Sequence, residues 1–187
     1  MCLLGLRCML RPGEIAELEV RDVVFSTRQE GVLSGGSFDL VEGPALLKLT
    51  VRKSKVDQEC RGRSVWVEPL SGSDALDCPV AFLSSYLTSL GNVDPHSPLF
   101  PSSRSPSKAL SASAVSDVVK RVASAAGVSA RVSGHSLRIG GACAAAQAGL
   151  GIESIRAIGG WVGDAVFLYV RGCSVPRLQA TDKMWSL

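Results

Sequence analysis

From Ser111 onward the chain reads as a run of short helices, most of them closed by glycine, and this pattern most restricts its fold. Val115, Val118, Val119 and Val122 recur at helical spacing, and Gly127 stops that segment. Ser136 to Ala148 forms a second helix, built of small residues and ended by Gly149. Ile152 to Ile158 is a third. Asp164 is placed to cap a last one, Ala165 to Val170, which carries Tyr169. Upstream, the segment to about Val20 is also helical, with Pro12 suited to a first turn, and so is Ala75 to Leu90, which stops at Gly91. Ala45 to Val51 and Ser64 to Val67 alternate in part and carry β-branched residues. They predict a β-hairpin with a long basic tip, Lys53 to Arg63. Arg28 to Gly43 is rich in Gly, Ser and charge, and Asn92 to Lys108 holds four prolines; both read as loops. The expected fold class is α+β, mainly helical, with a small antiparallel β-hairpin or sheet at one edge.

A chain of 187 residues is within the span of one domain and long enough to bury a sizeable core. Hydrophobic residues make up 46% and charged residues 20%, which excludes a disordered chain. The formal charge of +3 fits a nucleic-acid partner without arguing for one, so local clustering of basic residues must carry that case. The six cysteines match no zinc spacing, a disulfide framework is not expected, and a reducing compartment follows. No apolar run reaches transmembrane length. Met1 to Leu10 is apolar but lacks a basic leader, and its helical pattern continues into Glu14, Ile15 and Leu18, so it reads as a core helix that begins abruptly.

Two histidines and two tyrosines narrow the candidates for chemistry. His135 and Arg138 stand three residues apart at a helix start, so an imidazole and a guanidinium share one face beside N–H groups that favour anions. Arg11 precedes Glu14 by three residues; a guanidinium can grip two phosphate oxygens, and Glu14 can hold it in place. Lys53 and Lys55 sit with Arg52, Arg61 and Arg63 around the hairpin tip, a basic finger fit to enter a DNA groove. Trp161 follows a glycine pair, and its indole N–H is purely a donor. Tyr169 comes eight residues later. Each motif taken singly also fits a bland role: surface pairs for the charged residues, core packing for Trp161 and Tyr169.

In order and spacing, however, these motifs resemble the tyrosine recombinase (phage integrase) family. Its first box is similar to Arg11, Glu14, Ile15 and Leu18, and its hairpin lysine to Lys55, with Lys53 as the fallback. Its second box is similar to His135-Ser136-Leu137-Arg138 followed by Gly140-Gly141-Ala142. Its His-or-Trp position falls on Trp161, and its nucleophile on Tyr169 in Leu168-Tyr169-Val170-Arg171. The resemblance implies the integrase catalytic-domain fold and DNA cleavage and rejoining through a 3′-phosphotyrosine. Arg11, Arg138, His135 and Trp161 would hold the phosphate, Tyr169 would attack it, and Lys55 would protonate the 5′-hydroxyl. Glu14 would support Arg11, while Arg52, Lys53, Arg61 and Arg63 would contact DNA.

The same resemblance implies no cofactor and no metal, double-stranded DNA as partner, and a synaptic homo-tetramer on DNA in the full-length protein. It also implies an intracellular location away from membranes: the nucleus in a eukaryote, the cytoplasm in a bacterium or phage. The family's N-terminal core-binding domain has no counterpart here, so residues 1–187 are expected to be a single catalytic domain from a longer protein. A type IB topoisomerase-like relaxing activity and a non-catalytic DNA-binding remnant are the alternatives.

Overall fold

A computed structural model describes residues 1–27, 45–54, 62–70 and 78–170. The expected loop from Arg28 to Gly43, Lys55, Arg61 and everything after Val170 lie outside or largely outside those stretches. The architecture is α+β and mainly helical, as expected. The helices are α1 (Cys2–Arg7), α2 (Pro12–Ala16), α3 (Pro79–Leu90), α4 (Ala112–Ala125), α5 (Gly134–Gln147), α6 (Ile152–Gly159) and α7 (Ala165–Val170). The strands are β1 (Val23–Thr27), β2 (Ala45–Val51), β3 (Arg63–Val67), β4 (Pro101–Ser102) and β5 (Ser105–Ala109).

Three features depart from the sequence reading. The first segment is two short helices, because the chain turns at Met9, whose φ of +52° lies in the left-handed region. The hairpin gains a third strand: β1 pairs antiparallel with β2, which pairs with β3, in the order β1-β2-β3. The serine- and proline-rich loop contains the antiparallel β4–β5 hairpin. By contrast, α4 to α7 begin and end within two residues of their expected bounds.

Alternation across the sheet sets which side chains enter the core. Val23, Phe25, Leu47, Leu49, Val51, Val65 and Val67 are all buried, and the register pairs Val23 with Leu49, Phe25 with Leu47, and Leu47 with Val67. Arg63 shares that inward face, opposite Val51. The outer face carries Lys48, whose ammonium lies 5.7 Å from the ring centre of exposed Trp66. The large core joins these strands to Leu4, Leu10, Ile15, Leu83, Leu87 and Val115. A second, smaller core of Met9, Ala142, Ala146, Ile155, Trp161 and Val166 lies under α7.

The small residues of α5 let it lie directly on α1. A Cβ on Gly141 would strike the carbonyl oxygen of Leu6, and one on Gly5 would come within 2.7 Å of Leu137. At the start of α5 a Cβ on Gly134 would collide with Pro12 and Ser116, so α2, α4 and α5 meet there at van der Waals contact. Among the described cysteines, Cys2, Cys8 and Cys78 are free thiols. Cys143 on α5 is disulfide-bonded, a pairing that the sequence spacing did not suggest. No helix among the described residues is long and apolar enough to cross a membrane.

Candidate active site

Arg11 is the residue before the first turn of α2, and Pro12 follows it at the position where a missing N–H costs nothing. Glu14, one turn on, reaches back: its carboxylate accepts from the Arg11 backbone N–H at 2.9 Å and from Arg11 Nη1 at 2.7 Å. Glu14 is 4% exposed, so a carboxylate this deep needs strong partners. Arg63 supplies them from β3, with Nη1 and Nη2 each 3.2 Å from one Glu14 oxygen. Burial pushes the Glu14 pKa up, but the hydrogen bonds and charge of Arg63, then those of Arg11, outweigh it and hold it below the usual value. Arg11 Nη1 also donates to Ser54 Oγ at 2.9 Å, just past the end of β2.

Arg138 extends from α5 into the space between the two cores and is 1% exposed. Its Nη1 donates to two backbone carbonyls, those of Met9 and Gly159, at 2.6 Å each. Its guanidinium carbon lies 3.7 Å from the ring centre of Trp161, a stacked cation–π contact. Nη2 is buried without a hydrogen-bond partner. Among the described residues no carboxylate lies within ion-pair distance of Arg138. Burial, with the Arg11 charge next, pushes its pKa down to about 10. A cation held this way, with the N–H groups of Nη2 unspent, is suited to receive an anion.

His135, one turn before Arg138, is exposed at the start of α5. Partial burial, then the charges of Arg138 and Arg11, lower its pKa, so the imidazole is neutral at physiological pH and free to accept a proton. Tyr169 projects from α7 toward the same place. Its ring centre is 6.5 Å from that of His135 and 5.7 Å from that of Trp161. Gly159 leaves room for the Trp161 ring, which a Cβ there would penetrate. Gly160, at φ +64°, turns the chain from α6 into Trp161.

The structure thus gathers His135, Arg138, Trp161 and Tyr169 around one face of α5 and sets Arg11 within electrostatic reach of both His135 and Arg138. Among the described hairpin residues, Arg52 and Arg63 do not join a basic finger. Arg63 points inward to Glu14, and its Nε donates to the Ile158 carbonyl at 3.2 Å. Strand alternation is the reason, since Arg63 lies in phase with buried Val65 and Val67. Arg52 is engaged with Asp22 through Nε at 2.8 and 3.0 Å, and with the Glu17 carbonyl and Glu19 through Nη2. Lys53 is exposed, while Lys55 and Arg61 lie outside the described residues. Sequence reasoning missed Ser54 and the inward role of Arg63; the phase of Arg63 with Val65 and Val67 was the signal for the second. No group of three or more metal-ligating side chains occurs among the described residues.

A family model described as the phage integrase family matches residues 1–167. Among solved structures, the XerH site-specific recombinase in a post-cleavage complex with a palindromic difH substrate aligns with a TM-score of 0.66 and 17% identity, covering 100% of this chain and 45% of that one. The XerA recombinase aligns at 0.64 and 22% identity, over 97% of this chain and 56% of the other. A Tn1549 transposon integrase in complex with circular intermediate DNA aligns at 0.59 and 14% identity, over 98% and 58%. The chain spans about half the length of the solved recombinases it matches. A comparison with curated proteins found no match.

Proposed function

The chain belongs to the phage integrase family, and from that premise we propose that it cleaves and rejoins DNA strands as a site-specific tyrosine recombinase. The observation that carries this reading is Arg138: a buried guanidinium with an unpaired Nη2, beside a neutral imidazole and the only phenol near it on α7 among the described residues. The scissile phosphate binds between Arg11 and Arg138. Tyr169 Oη attacks phosphorus, and the proton it sheds passes to His135. The P–O5′ bond breaks, the 3′-phosphotyrosine forms, and the leaving oxygen takes a proton from Lys55, or from Lys53 in the fallback assignment. A 5′-hydroxyl of another strand reverses the sequence. The phosphoester bond energy is kept in the tyrosyl link, so no nucleotide or metal cofactor enters the scheme.

Trp161 fixes Arg138 by stacking on it and seats Tyr169 against its other neighbours. Glu14 keeps Arg11 in place. A preorganised donor of this kind typically contributes roughly 3–4 kcal/mol to the transition state. Double-stranded DNA as substrate, a synaptic tetramer of the full-length protein and an intracellular setting belong to the same proposal, with residues 1–187 acting as one catalytic domain.

The test uses a pool of nicked duplexes randomised in sequence, in which the short leaving strand diffuses away after cleavage. The chain should form a DNA adduct that survives denaturing electrophoresis, and Tyr169→Phe should form none while still shifting DNA on a native gel. An adduct with the Phe variant, or binding by the wild type with no adduct, would overturn the proposal. Relaxation of a supercoiled plasmid without recombination between two sites would assign the chemistry to a topoisomerase-like outcome instead.

A further inference from the structure

Two consecutive carbonyls at the end of α6 accept from two different arginines. The turn that closes the helix satisfies the carbonyls of Arg156 and Ala157, through the N–H groups of Trp161 and Gly160. The next two, on Ile158 and Gly159, accept instead from Arg63 Nε at 3.2 Å and from Arg138 Nη1 at 2.6 Å. The last carbonyls of a helix are its electronegative end and favour cations. Arg63 is packed against the same turn: a Cβ on Gly160 would come within 2.9 Å of its Cδ and 3.0 Å of its Nη1. Its terminal nitrogens reach α2, where each donates to one oxygen of Glu14, and Glu14 holds Arg11 by the backbone N–H and Nη1. Arg138 closes the circuit, since the same Nη1 also donates to the carbonyl of Met9, two residues before Arg11. The bonds form a ring: Arg11, Glu14, Arg63, the Ile158–Gly159 peptide, Arg138, Met9 and back along the chain to Arg11. Both arginines proposed to grip the phosphate belong to this ring, and Arg63 spans the gap between α2 and α6 in it.

We propose that Arg63 is a positioning residue for the phosphate grip: by bonding Glu14 and Ile158 at once, it fixes where Arg11 stands relative to Arg138. This rests on the recombinase reading above and goes beyond it by assigning an arginine that acts through other residues. A guanidinium suits the task. Its planar fork donates two bonds to one carboxylate while Nε donates to a separate acceptor, which an ammonium cannot reproduce. Planar peptides and helical dihedrals keep adjacent carbonyls of one turn at a set separation. A shift of Arg63 at Ile158 is therefore felt at Gly159 and Arg138, and a shift at Glu14 is felt at Arg11. Charge developing on the two non-bridging oxygens is best stabilised by donors already aimed at them. Misplacing such a group by about 1 Å can slow a reaction roughly 100-fold.

The experiment measures single-turnover adduct formation at saturating DNA, on one duplex recovered from the capture pool. Each protein is used under conditions where its urea curve shows it fully folded. Arg63→Met and Arg63→Lys should both slow the reaction by roughly 10-fold to 100-fold. Half-saturation by DNA should be unchanged, because affinity comes from many phosphates along the duplex. Val65→Ala trims the next inward side chain of β3 and is the control for lost stability; it should react at the wild-type rate. A second substrate locates the effect. Replacing one non-bridging oxygen of the scissile phosphate by methyl removes the negative charge on which the grip acts, so the loss in both Arg63 variants should shrink on it.

An Arg63→Lys variant at the wild-type rate would mean that Arg63 contributes charge and not placement. A loss shared with Val65→Ala would mean that it serves folding, and an undiminished loss on the methylphosphonate would put its effect away from the phosphate. Each of these overturns the proposal. A measurement without DNA keeps the inference separate from the reading beneath it. In protein made with isotopically labelled arginine, the Nε–H resonances of Arg11 and Arg138 should both shift in Arg63→Lys; a shift of one alone, or of neither, overturns the proposal. A wild type that forms no adduct overturns the recombinase reading, whereas the resonances decide the coupling of Arg11 to Arg138 whatever that outcome.

Discussion

Replacing Arg63 by Met tests whether this arginine is part of the interior or of a DNA-contacting surface. The structure gives it three hydrogen bonds, two to the buried carboxylate of Glu14 and one to the Ile158 carbonyl, with its side chain 15% exposed. Methionine keeps most of the apolar stem that covers Gly160 and removes the charge. Breaking a buried ion pair from one side costs about 3–5 kcal/mol. Arg11 still holds Glu14 in the variant, so the lower end, about 3 kcal/mol, is the expected loss. With a urea m-value of about 2 kcal/mol/M, that lowers the unfolding midpoint by about 1.5 M.

The loss also carries a pH signature. In the wild type the Glu14 pKa is depressed, so its stabilisation is fully present above the ordinary value of 4.5 and disappears as pH falls through the folded value. Without Arg63 the largest of the contributions that lower the Glu14 pKa is lost, so that pKa moves up. The gap between wild type and Arg63→Met should therefore be widest near neutral pH and close below pH 4.5. A gap under ~0.5 kcal/mol, within the range of an ordinary surface substitution, would refute the interior role. So would unchanged stability accompanied by a DNA-binding salt slope reduced by about one, the mark of a lost phosphate contact.

Two further outcomes follow from the geometry. Gly141→Ala drives a methyl group into the Leu6 carbonyl and should cost at least ~1–3 kcal/mol by thermal unfolding, whereas Gly140→Ala meets only the flexible end of Leu6 at 3.3 Å and should be close to neutral; equal effects would contradict the packing of α5 on α1. The depressed pKa of His135 places the acid limb of adduct formation, measured at limiting DNA, below pH 6.5, and His135→Gln should remove that limb; a limb centred above 6.5 would count against His135 as the base.

Much of this architecture was legible because α4 to α7 are local structures with strong periodicity and glycine stops, and Ala165 to Val170 is assigned the same bounds by pattern and by structure. The break at Met9 was not, since apolar residues continue through it and the left-handed residue is a methionine; Pro12 marks where the second helix starts but not that the first has ended. Strand β1 was missed because its partner β2 begins 18 residues after it ends, and pairing at that range leaves little trace in a short apolar run. The β4–β5 hairpin was hidden by its polar, mostly exposed residues, which show no alternation.

The site divides along the same line. The spacing from Gly134 to Tyr169 pointed to the cluster around α5, because those residues sit on consecutive short helices or in the turn between two of them. The hairpin residues were harder to read. Whether a basic residue near a strand end faces solvent or the core depends on strand phase, and for Arg63 that phase is fixed by Val65 and Val67.

The close seat of α5 on α1 has a consequence for how the site can move. His135 and Arg138 ride on a helix whose backbone touches its neighbour's, and Arg138 is anchored to carbonyls on either side of it. Sliding or tilting that helix would break close packing and two charge-assisted hydrogen bonds at once, so Arg138 is held as firmly as the seat of α5 itself. Tyr169 is borne by six residues with one fully buried side chain, Val166, and with Phe167 and Leu168 exposed. α7 therefore offers more of its surface to an incoming contact than the buried surroundings of Arg138 do. If the chain cuts DNA as proposed, a contact that covers or releases the exposed side of α7 would act on the approach of the phenol, and so on when a strand is cut, without touching Arg138.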